Sequence, residues 1–142
     1  MERQFPSEYL FDLANVYSRL GDCYDKIGNY SEAEKSINSA IDYLNRDLKR
    51  RESIPAKCNL GVAYKQLARI KRFLGNYEAS KKLLLEAIKI HEALVEKNPY
   101  AYSIYLAKDY HSFSQFLSDQ SKYIEAEEYI IKSLNILVVC NI

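Results

Sequence analysis

An internal repeat constrains this chain more than any other feature of its sequence. The first copy reads Tyr17-x-x-Leu20-Gly21-x-x-Tyr24, then Ile27-Gly28-Asn29-Tyr30, then Ala33-x-x-x-Ile37-x-x-Ala40. The second keeps the spacing with Tyr64, Leu67, Ala68 and Lys71, then Leu74-Gly75-Asn76-Tyr77, then Ser80, Leu84 and Ala87. A weaker third copy has Tyr110, Phe113, Ser114 and Leu117, then Gln120-Ser121-Lys122-Tyr123, then Ala126, Ile130 and Ser133. Tyr64 follows Tyr17 by 47 residues, and Tyr110 follows Tyr64 by 46. Apolar residues recur at intervals of three and four on both sides of each break, which is the pattern of two amphipathic helices. A hairpin of this kind cannot bury its apolar face alone, so the copies must stack.

Composition agrees with that reading. Only four glycines and three prolines interrupt the 142 residues, which suits long helices and not the tight turns of a β protein. The fold class expected is all-α, a superhelix of three hairpins with six antiparallel helices at about 7-27, 31-51, 54-74, 77-97, 100-119 and 122-139. These form one domain over 1-142, with repeats at about 7-51, 54-97 and 100-139. Gly28 and Gly75 are placed to end the first helix of a hairpin in the left-handed conformation, and Ser121 replaces them in the third copy. Ser31 and Glu34 have the spacing of a capping box for the second helix. The thirteen tyrosines suit half-buried seams, where the ring packs and the hydroxyl reaches water.

At Tyr17, Leu20, Gly21, Tyr24, Ala33 and Ala40 the chain resembles the tetratricopeptide repeat, with Ile37 in place of that pattern's phenylalanine. The resemblance runs from about Pro6 to Val139. It implies a right-handed α-α superhelix. The usual period of that family is about 34 residues; the longer period here is similar to the extended repeats of kinesin light chains and of bacterial repeat proteins. Asn45 stands where the second helix of the first copy would meet a proline, so that helix runs on.

Several function classes are set aside by what the chain lacks. A net charge of +1 gives no excess for tracking a nucleic acid. No phosphate-cradling loop and no catalytic signature such as G-x-S-x-G or H-E-x-x-H occurs, so no catalytic residue and no enzyme activity are expected. His91 and His111 stand in different copies without metal-ligand spacing and are read as seam or surface residues; no metal and no cofactor are expected. Cys23, Cys58 and Cys140 form no C-x-x-C pair and imply a reducing compartment. Cys23, in mid-helix without a paired base, is read as a packing residue. The Lys49-Arg50-Arg51 run is read as a helix end favoured by the dipole. With no apolar run of secretory or membrane-spanning length, the expectation is a cytoplasmic protein without a membrane partner.

The resemblance implies a partner peptide or protein held on a concave face lined by the first helix of each hairpin. The groove positions it gives are Asn15, Ser18, Asp22 and Asp25, then Val62, Lys65, Arg69 and Arg72, then Lys108, His111, Gln115 and Ser118. Lys65, Arg69 and Arg72, with Lys108 beside them, read as a cationic strip for an acidic segment. Positions that grip a chaperone's terminal carboxylate in some family members are Ser18, Asp22, Gln66, Lys108 and Ser112 here, and only Lys108 agrees.

The last helix carries apolar residues around much of its circumference, so Ile130, Leu134, Leu137 and Val138 are expected to be covered by another surface. An isologous homo-dimer through this helix is one solution; membership in a longer array is the other. The leading expectation is a protein-interaction scaffold, and the alternative an assembly element with an empty groove.

Overall fold

The computed structural model describes residues 7–140, which leaves Pro6 outside. A single 3-10 turn, Ser7–Tyr9, leads into α1 (Leu10–Lys26). Then follow α2 (Tyr30–Arg50), α3 (Ile54–Phe73), α4 (Tyr77–Lys97), α5 (Pro99–Asp119) and α6 (Tyr123–Val139), with no strand among the described residues. The expected six helices are all present, each within a few residues of its expected bounds. No described helix is long and apolar enough to cross a membrane.

The recurring Gly-Asn pair explains how one dipeptide both stops a helix and starts the next. Gly28 takes φ 80° and donates its amide to the Asp25 carbonyl (3.0 Å), while the Asn29 amide donates to the Tyr24 carbonyl (2.9 Å). These two bonds satisfy carbonyls that the end of α1 leaves open. The Asn29 side chain then accepts from the Glu32 amide at 3.3 Å and caps α2. Gly75 and Asn76 do the same between α3 and α4. Ser31 therefore stands inside α2 and forms no capping box with Glu34; the cap lies two residues earlier, because the helix begins as soon as the glycine has turned the chain. In the third copy Ser121 adopts φ 61° and Lys122 donates to the Leu117 carbonyl, but no side chain caps α6.

Each hairpin packs on itself, as α1 with α2, α3 with α4 and α5 with α6, and successive hairpins meet where α2 lies on α3 and α4 on α5. Small residues set the distances: a Cβ added to Gly21 would sit 2.3 Å from Ile37 Cδ1, so α1 and α2 cross where glycine leaves room for isoleucine. One core gathers Ala14, Ile37, Leu44, Leu60, Ala63 and Ile70; a second gathers Leu84, Ile88, Leu106, Phe113 and Phe116. Burying each large member contributes about 1.5–3 kcal/mol. The basic run at the end of α2 neutralises a buried acid. Asp47 is fully buried and accepts from Arg50 Nε (3.0 Å) and from Arg51 (3.1 Å).

Candidate functional site

The first helices of the three hairpins, α1, α3 and α5, lie side by side and form one face of the array. A hollow of about 240 Å³ opens there. Ala68, Leu84 and Phe116 give it an apolar floor, and Asp22, Asp25, Lys65, Arg69, Arg72 and Gln115 stand around it. Six of the expected groove positions thus converge on one place. Asp22 and Asp25 come from α1, the three cations from α3 and Gln115 from α5, so the site exists only when the hairpins are stacked.

Its charges are largely paired within the chain. Arg69 Nε donates to Asp25 Oδ2 at 2.9 Å, Arg72 lies 3.0 Å from Asp119, and Lys26 lies 3.1 Å from Asp22. Both guanidinium groups also stand over the Phe73 ring, at 4.8 and 5.4 Å from its centroid. The two arginines of the expected cationic strip are therefore already held in ion pairs. Asp119, one residue past the expected Ser118, supplies the acid; a step of three or four from Gln115 permits either residue, and spacing alone does not choose. Lys65 has no ion-pair partner among the described residues. Burial lowers the pKa of its amine, against the pull of nearby Asp109. Asp25 Oδ1 is buried and accepts no hydrogen bond.

The remaining expected positions go elsewhere. Ser18 Oγ donates to Gln66 Oε1 (2.6 Å) and Asn59 donates to Asn15 Oδ1 (2.9 Å), so Asn15 and Ser18 tie α1 to α3. Together with Val62 they line a separate, more open hollow. Lys108 stands close enough to Lys65 for its charge to lower that amine's pKa further. Lys108 also lies with His111 at the open end of the array, around an apolar hollow with Ile130, Leu134 and Leu137. Two residue sets that the sequence kept apart, groove and self-association, meet at this end.

His91 is a seam residue, and the seam holds a buried charge pair. Its Nδ1 contacts Asp109 Oδ2, and its Nε2 lies 3.0 Å from the Cys58 carbonyl; both side chains are fully buried. A carbonyl oxygen only accepts, so Nε2 carries a hydrogen, and an ionised Asp109 requires a second one on Nδ1. Burial by itself lowers the pKa of His91, but the bonds to Asp109 and Cys58 outweigh it and push it up to about 9. Asp109 Oδ1 accepts nothing. Gly61 admits the ring: a Cβ there would lie 2.6 Å from His91 Nε2. That glycine stands in mid-helix where the first copy has Ala14.

Family models described as tetratricopeptide repeat match residues 14–43 and 60–99, which fall on the first and second hairpins. The crystal structure of BtubC (BKLC) from P. vanneervenii is a structural neighbour at 13% identity, covering 99% of this chain and 68% of that one with a TM-score of 0.48. No curated protein sequence matches the chain. The helices pair as the repeat requires, and the third copy keeps the register of the two that match. The chain belongs to the tetratricopeptide-repeat family.

Proposed function

We propose that the chain is a scaffold that holds a peptide or protein segment on the face formed by α1, α3 and α5. The family is one of protein-interaction scaffolds and is typically non-catalytic. The observation that carries the finer reading is the hollow itself, an apolar floor ringed by polar groups from three different helices. Because Arg69 and Arg72 are already paired, the fitting segment is not simply acidic. It places an apolar side chain on Phe116 and Leu84 and an acceptor at Lys65. A cytoplasmic setting, where the free thiols of Cys23, Cys58 and Cys140 persist, belongs to the same reading.

The test is selection of binders from a random peptide library, followed by titration of the best. Gln115 is exposed at the rim, so Gln115→Trp fills the hollow without touching the core. We expect it to weaken binding by at least about tenfold, while Leu85→Ala, at an exposed site of α4 outside the hollow, leaves affinity unchanged. Equal affinity for Gln115→Trp and the unaltered chain would move the site elsewhere.

A second reading, self-association through the C-terminal helix, has its own observation. Ile130, Leu134 and Val138 are 44%, 54% and 75% exposed on α6, next to the apolar hollow that Lys108 and His111 flank. Clustered exposure of this kind marks an interaction surface.

A further inference from the structure

The repeat register shows what shape of surface would cover that end. In the junction between the first two hairpins, α2 presents Ile37, Ile41 and Leu44, and α3 meets them with Ala63, Leu67 and Ile70. The residues of α6 at the same three positions are Ile130, Leu134 and Leu137. Those of α1 matching the α3 set are Val16, Leu20 and Cys23. In α3 that set is buried; in α1 Val16 is 65% exposed, Leu20 is 40% exposed and Cys23 is open to solvent. Ile27, four residues after Cys23, and Tyr9, seven before Val16, extend the same exposed stripe. One end of the array therefore displays one half of its own internal junction, and the other end displays the other half.

We propose that the chain stacks head to tail, with the exposed face of α1 in one copy seated on the α5–α6 end of a second copy. This rests on the self-association reading and fixes its geometry: a heterologous contact that repeats, in place of an isologous pair. Charge at the rim agrees. Across the first internal junction Asn59 donates to Asn15, and the residues in register with them are Asp12 on α1 and Lys108 on α5. Both are exposed, so stacking brings an acid of one copy to a base of the next. An isologous pairing through α6 leaves the α1 stripe uncovered, whereas stacking covers both faces with one contact.

The test uses two variants of the full chain, Val16→Asp and Leu134→Asp, at sites exposed enough to leave the monomer folded, as circular dichroism would verify. Sedimentation across a concentration series should show unaltered chains growing beyond dimers. Each variant alone should stay at the single-chain 16.5 kDa. An equimolar mixture should form a two-chain complex and stop there, since each variant keeps the end that the other lacks. Association of Val16→Asp equal to that of the unaltered chain would overturn the head-to-tail geometry while leaving self-association standing. An unaltered chain that remains single up to roughly 1 mM would overturn both and assign the exposed ends to other partners.

Discussion

The two internal junctions occupy the same register and differ in chemistry at one point of it. Between the first and second hairpins, Leu44 packs there with Ala14 and Ala63, all apolar. Between the second and third, the same three positions are His91, Gly61 and Asp109, and a charged ring is buried against glycine and a carboxylate. The backbone geometry tolerates both, because what the stack requires is a filled volume, and the paired ring fills it as leucine against alanine does, although Asp109 Oδ1 is left without a donor. The difference lies in what each seam tolerates when altered. An apolar seam loses contact area in small increments, whereas the pair fails as a unit when either member is lost.

The largest expected effect follows from breaking the pair. His91→Leu leaves Asp109 fully buried without its hydrogen-bonded partner and should cost about 3–5 kcal/mol, or a fall in melting temperature of roughly 10 °C or more. Adding Asp109→Ala rebuilds the second seam in the chemistry of the first, and thermal melts of the double variant should recover most of that loss. A double variant as unstable as His91→Leu would show that the two seams are not interchangeable.

Acidity separates the seams next. His91 has its pKa raised in the folded chain, so the folded state holds a proton that the unfolded chain gives up at lower pH. The stabilisation is complete below the ordinary histidine value near 6.5 and is lost as the pH rises through about 9. Around the ring stand Asp109, Lys65, Cys58 and Tyr105, and the tyrosine's own pKa is raised by the Cys58 beside it and by burial. Melting temperature should therefore decline from pH 7 to pH 10 in the unaltered chain and stay flat in His91→Leu/Asp109→Ala. Equal slopes would assign the alkaline loss to other groups.

The smallest effect concerns the hairpin turns. The third turn holds Ser121 at φ 61° and leaves α6 without a side-chain cap, where the other two use Gly-Asn. Ser121→Gly with Lys122→Asn should stabilise by about 1–2 kcal/mol, read as a raised denaturation midpoint. Asn29→Ala should lose about 1 kcal/mol at the first turn. No gain from the first change would mean that the left-handed serine is already relaxed by its surroundings.

How much of this is legible in the sequence depends on whether an observation needs one copy or two. Helix ends, the left-handed turns and the long second helix follow from spacing within a single copy, because Gly28, Gly75 and the apolar intervals act through local backbone geometry. The Gly-Asn pair is visible, yet spacing points to Ser31 as the cap, since a sequence does not say which of two nearby acceptors the first free amides reach. The groove is half legible: its six converging residues follow the repeat, but Asp119 is the acid on Arg72, and Lys108 and His111 also line an apolar hollow with α6.

The sequence by itself determined the six helices, their pairing into three hairpins and the family, because a periodic apolar pattern admits few other ways to leave water. Only the tertiary structure decided which charges are free. Arg69 meets Asp25, Arg72 meets Asp119 and His91 meets Asp109 across separations of 44, 47 and 18 residues. The strength of an ion depends on the burial and the distance of its partner, and both are set by how the hairpins stack.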